Sequence, residues 1–227
     1  MIKRTLYFGN PAYLKTENEQ LVAQLQNEAV ETKSIPIEDI GILILDHRQI
    51  TITQALMAKL LANNSAVITC DETHHPTGML LSLDGNSLQS KMFQIQTEAS
   101  IPLKKQLWQQ TVAAKIQNQA GMLSFQRAEH QLLLNLAASV KSGDSDNAEA
   151  QAAAYYWKKV FPATLSFRRE RHGPPPNNLL NYGYAILRAM LARSLVASGL
   201  LPTLGIHHRN QYKAYCLADD VMEPYRP

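Results

Sequence analysis

The chain has 227 residues, 45% of them hydrophobic and 7% aromatic, with a formal net charge of +3. That length admits one large domain or two modest ones, and no apolar run approaches the roughly 18 residues that would cross a membrane. Two cysteines are too few for a disulfide framework, and "MIKRTLYFGN" carries no signal-peptide core, so a reduced, cytoplasmic setting is expected.

The first half reads as strands. "RTLYF", "KSIPI", "GILIL", "QITIT", "AVITC" and "GMLLSL" are short, β-branched or apolar, and bounded by turn-type residues. "HRQITIT" alternates as a strand with one wet face should. "ENEQLVAQLQNEAV" reads as helix on propensity and as a hairpin strand on context, and strand is the preferred reading. "QALMAKLLANN" interrupts the run with leucines at helical spacing, stopped by Asn63 and Asn64. Many short strands and one short helix predict a β-sandwich-like domain over 1–90.

From Ile101 the pattern changes to residues three and four apart. "IPLKKQLWQQTVAAKIQNQAGMLSF" predicts a helix that Gly121 ends or bends, and "RAEHQLLLNLAASVKSG" a second one. "KSGDSDN" is a loop, "NAEAQAAAYYWKKVF" a helix stopped by Pro162, and "HGPPPNN" a stiff connection. "NLLNYGYAILRAMLARSLVASGLLP" is a long apolar helix closed by Gly199 and Pro202. The fold class is therefore α+β: a β-domain, a linker over 91–101, and an all-α domain over 102–227.

Charge divides along the same line. Residues 1–100 carry 7 Lys/Arg against 11 Asp/Glu, whereas residues 101–227 carry 15 against 8. A basic half suits a polyanionic partner. Lys158, Lys159, Arg168, Arg169 and Arg171 concentrate five cations just before the proline-rich connection, either as phosphate contacts or as a solvated basic loop.

Two acidic sites stand out. In "GDSDNAEAQAAAYYW", Glu149 is either the third residue of a capping box led by Asp146 or a functional carboxylate turned away from its helix. In "GIHHRNQYKAYCLADDVMEPYRP", Asp220 and Glu223 fall at i, i+3 and share a helical face. Carboxylates held together repel unless a cation lies between them. Imidazole with carboxylates and no thiolate suits Mg²⁺ or Mn²⁺. Zinc is disfavoured, because Cys70, His74, His75, His207, His208 and Cys216 match no standard spacing.

At these residues the chain resembles a known family: the CRISPR-associated integrase, the endonuclease of spacer acquisition, in its type II form. "IPIEDIGILILD", "GMLLSLDGNSLQSKMFQIQTEASIPLKKQLWQQTVAAKIQNQA", "NNLLNYGYAILRAMLARSLVASGLLPTLGIHHRNQY" and "LADDVMEPYRP" carry the resemblance over most of its length. The resemblance implies a β-domain that dimerises and a helical catalytic domain. It implies a metal site of Glu149 in "EAQAA", His208 at the end of "GIHH" and Glu223 in "DDVME", with Asp220 as a further ligand or supporting partner. His207 would then be structural or touch DNA.

The implied activity inserts new spacers into a CRISPR array: a 3′-hydroxyl of an invading-DNA fragment attacks a phosphodiester of the repeat by transesterification, with Mg²⁺ or Mn²⁺ as cofactor. Implied partners are double-stranded DNA, a second copy of the chain, and the small ferredoxin-like second adaptation protein, with no membrane. Family members usually continue beyond "EPYRP", so the resemblance also implies a C-terminally short form with Glu223 near a free end. Arg168, Arg169, Arg171, Lys158 and Arg209 are the expected DNA contacts. A covalent tyrosine mechanism is disfavoured, because Tyr155, Tyr156, Tyr182, Tyr184 and Tyr212 lack the accompanying arginine pattern. The competing class is a non-catalytic DNA-binding or scaffold subunit, in which Glu149 caps its helix and the late acids are surface groups.

Overall fold

The computed structural model describes residues 3–25, 31–162, 167–170 and 173–226. Strands β1 (Arg4–Phe8), β2 (Ala12–Glu17), β3 (Gln20–Leu25), β4 (Glu31–Pro36), β5 (Ile40–Leu45), β6 (Ile50–Ile52), β7 (Ala66–Cys70) and β8 (Pro76–Leu80) form two four-stranded sheets. The first has the order β1-β5-β7-β8, parallel except for β8. The second has the order β4-β3-β2-β6. Within "ENEQLVAQLQNEAV" the strand is β3, Gln20–Leu25. It pairs with β2 across a two-residue turn whose Asn18 and Glu19 both have positive φ, as the tightest hairpin turns require.

Leu14 and Leu21 of the second sheet meet Leu43 and Val67 of the first, and helix α1 (Gln54–Ala62) adds Leu56 and Leu60 to that core. Two strand readings shift. β6 shortens to Ile50–Ile52 because Thr53 leaves the ladder to cap α1, its hydroxyl accepting from the Leu56 amide. β8 begins at Pro76, two residues before "GMLLSL", and leaves Leu81 to Leu83 outside the pairing.

Helices follow: α2 (Gln89–Glu98), α3 (Ile101–Phe125), α4 (Gln131–Ser139), α5 (Ala148–Val160), α6 (Asn177–Ala197) and α7 (Cys216–Met222), the last continued by a tight 3-10 turn over Glu223–Tyr225. No strand occurs after β8 among the described residues. α3 is the spine of the helical core. Trp108, Val112, Ile116, Ala120 and Leu123 line one of its faces and pack against Leu133 and Ala137 of α4 and Ala148, Ala152 and Tyr156 of α5. Gly121 neither ends nor bends it. It faces solvent, and the packed stripe on either side outweighs the roughly 1 kcal/mol that a mid-helix glycine costs.

The chain forms two compact units: residues 1–92 with 185–200, and residues 93–184 with 201–227. α6 contributes to both. In the first unit its Ile186 and Ala189 cover the sheet face formed by Ile42, Ile44, Ala66 and Ile68. Its end is fixed by Gly199 at φ +74°, where the Leu200 amide reaches back to the Leu195 carbonyl. α2 was not foreseen: it buries none of its residues, so no apolar stripe marks it in the sequence. Among the described residues no helix is long and apolar enough to cross a membrane.

Candidate active site

Glu149 lies in the first turn of α5, and the loop before it decides where its carboxylate goes. Gly143, Asp144 and Asn147 all adopt positive φ, a tight reversal that turns Asp144 back onto the helix. Its carboxylate accepts from the Ala148 and Glu149 amides at 2.7 and 3.1 Å. The cap is therefore Asp144. Asp146 instead pairs with Lys141 at 2.7 Å, and the capping box does not form. Relieved of capping, Glu149 accepts from Lys115 Nζ at 2.6 Å.

The same ammonium reaches Glu223 Oε2 at 2.5 Å. Glu223 is 3% exposed, and its other oxygen accepts from Arg226 at 2.5 Å. Burial pushes its carboxyl up, but Arg226 and Lys115 outweigh this and hold it below the usual carboxylate value. Asp220 and Glu223 were expected to repel one another across a shared face. Each has its own partners instead. Asp220, fully buried, accepts from the His207 amide at 2.9 Å and from the His208 amide, and its Oδ1 lies 2.5 Å from His208 Nδ1. That hydrogen bond raises the His208 pKa against the opposing effect of burial, and the field of Glu223 adds to the rise. With Nδ1 donating to Asp220, the neutral ring presents Nε2 as its lone-pair nitrogen. Gly205 leaves room for this turn: a Cβ there would run first into the His208 backbone carbonyl and would also sit 2.8 Å from Asp220 Oδ2.

Beside these groups is a basic cleft of about 380 Å³, lined by Lys104, Lys105, Trp108, Gly143, His207 and Arg209 among others. His207 stacks on Trp108 at 4.1 Å with the rings 5° from parallel, and His208 meets the same indole edge-on at 5.7 Å. Arg209 and Lys105 are exposed. A cleft with three cations and a stacked ring pair is suited to phosphate oxygens and an aromatic base.

Of the other predicted DNA contacts, Lys158 is exposed on α5 and Arg168 lies by Glu170 at 3.2 Å. Arg169 is tied to α6 through Asn177 and Asn181 and lies over the Tyr184 ring at 5.5 Å, so its fork is already engaged. Arg171 lies outside the described residues.

As a donor set, two glutamates and an imidazole without thiolates fit a hard divalent ion such as Mg²⁺ or Mn²⁺. Among the described residues no three His, Cys, Asp or Glu side chains are grouped to hold a metal; the positive charge between Glu149 and Glu223 is Lys115. Sequence reasoning missed Lys115, Lys104, Lys105 and Arg226. The signal for Lys115 was a lysine on the apolar stripe of α3 beside Val112 and Ile116.

Residues 6–227 match the family model described as CRISPR associated protein Cas1. The chain is 39% identical over its whole length to the CRISPR-associated endonuclease Cas1 of Neisseria meningitidis serogroup C (strain 8013), covering 73% of that protein. It is 26% identical over 86% of its length to a CRISPR-associated endonuclease Cas1 of Pyrobaculum aerophilum, covering 70% of it. Among solved structures it resembles a casposase bound to integration product (TM-score 0.77, 21% identity, 100% of this chain and 70% of that one). It also resembles a Cas6-RT-Cas1–Cas2 complex chain (TM-score 0.73, 25% identity, 99% of this chain and 27% of that one).

Proposed function

The chain belongs to the Cas1 family, and from that premise we propose that it is a divalent-metal-dependent DNA endonuclease and integrase that inserts spacers into a CRISPR array by transesterification. The observation that carries this reading is the convergence of Glu149 and Glu223, 74 positions apart, on a single point of positive charge. Bound there, Mg²⁺ or Mn²⁺ would polarise the scissile phosphate and stabilise charge on the departing 3′ oxygen.

The chain's own residues would do the rest. Glu149 and Glu223 would supply two anionic ligands and His208 Nε2 a neutral one. Asp220 would orient the imidazole rather than bind the ion, because its oxygens already hold the 207–208 amides and His208 Nδ1. Lys104, Lys105 and Arg209 would neutralise backbone phosphates flanking the target. The 3′-hydroxyl attacks phosphorus and the repeat's 3′ oxygen leaves. One P–O bond forms and one breaks, so no covalent protein intermediate or energy source is needed.

Support for the DNA substrate and for a Cas2-type partner comes from the names of the relatives and neighbours, which include an integration product and a Cas1–Cas2 assembly. Association of two copies through the β-domain belongs to the same proposal. The test is strand joining of a short duplex into repeat-bearing plasmid with Mn²⁺. Glu149→Ala and His208→Ala are each expected to reduce joining by more than about 100-fold while the melting transition remains cooperative. Joining that survives either change would refute the ligand assignment. One observation favours the scaffold reading: Lys115 pairs with both glutamates, as a purely structural ion pair would.

A further inference from the structure

Lys115 is a buried charge to which the proposed mechanism gives no task. It sits on the packed face of α3, 8% exposed, between a glutamate from α5 and one from the 223–225 turn. Without a cation at that point the two carboxylates would repel, so a positive charge there holds three distant segments together. The ammonium and a divalent ion compete for the same carboxylate oxygens. One turn along the same helix, Gln119 is 1% exposed and its Oε1 is buried without a hydrogen-bond partner among the described residues. Residues at i, i+4 are neighbours on a helix surface, so this orphan acceptor is available to the lysine.

We propose that Lys115 is an exchangeable counter-cation: it closes the Glu149–Glu223 pair in the metal-free protein and withdraws toward Gln119 when a divalent ion enters. The inference rests on reading Glu149 and Glu223 as metal ligands. Metal binding then displaces a resident charge, and the site stays folded before the ion arrives.

The experiment is calorimetric titration of the chain with MnCl₂, alongside thermal melts. Lys115→Met is expected to bind Mn²⁺ about tenfold or more tightly than the wild type, because a competitor is gone and a like-charged pair is left bare. Its metal-free form should melt lower and gain more from Mn²⁺ than the wild type does. Gln119→Leu is expected to weaken Mn²⁺ binding severalfold, since the displaced ammonium loses its acceptor. Should Lys115→Met fail to fold, Lys115→Gln gives the second readout: it removes the competing charge while keeping a polar group between the carboxylates, and should likewise bind Mn²⁺ more tightly than the wild type. Equal affinity in the folded Lys115 variant and wild type, with binding lost in Glu149→Gln, would overturn the exchange and leave the ligand reading standing. Mn²⁺ binding that is indifferent to Glu149→Gln and Glu223→Gln would overturn both.

Discussion

Asp220 sets how His208 is presented. Because its hydrogen bond raises the imidazole pKa above the ordinary 6.5, the pair stabilises the fold fully below that value. The contribution is lost as pH rises through the higher folded value. In the metal-free protein, the melting-temperature gap between wild type and His208→Gln should therefore be widest near about pH 6 and shrink toward about pH 9. A gap independent of pH would mean that folding leaves the imidazole pKa unchanged. Gly205 is the complementary test: Gly205→Ala pushes a methyl against the His208 backbone carbonyl and Asp220 Oδ2 and should cost about 2 kcal/mol in urea unfolding. At this scale the sequence was readable where chemistry is polar and local. The Asp220 and Glu223 pair could be picked out from its spacing, and Glu149 and His208 as proposed ligands only from the family blocks. Lys115 could not, because a lysine in a helix is ordinarily read as wet. Only the fold reveals that two carboxylates wait on the buried side of α3.

Among the elements, α3, α5 and α6 announced themselves through apolar periodicity and clear stops, and the structure places α5 at Ala148–Val160 against an expected 147–161. α2 stayed silent for lack of a buried face. The cap of α5 was misplaced by two residues, since a left-handed loop returning from Asp144 has no simple signature in a run of Asp, Ser and Asn. That loop makes its own prediction. Asp144→Ala should destabilise by about 1 kcal/mol, as expected of a lost cap, and should lower strand joining by freeing Glu149 to fold back onto the vacated amides. Restored joining in Asp144→Asn, which keeps an acceptor, would separate capping from a direct role. Deeper in the same unit, Leu133→Ala opens a fully buried position between α3 and α4 and should cost about 3 kcal/mol by denaturant titration.

Over the whole molecule, the opposed charges of the two halves were visible from composition, but not which cations face a cleft. The loop at 168–171 looked like the phosphate contact, yet Arg169 is spent on α6, whereas Lys104, Lys105 and Arg209 line an open groove. Replacing those three with alanine should weaken binding similarly on unrelated duplexes and flatten the slope of log affinity against log salt by roughly 2 to 3. An unchanged slope would remove the groove from the interface. The passage of α6 through both compact units has a practical consequence for anyone dissecting this protein. A gene cut after Met92, at the apparent seam, would yield a β-fragment stripped of Ile186 and Ala189, with Ile42, Ile44, Ala66 and Ile68 bare to water. Such a piece should precipitate on expression, and co-supplying residues 177–200 as a separate peptide should rescue it.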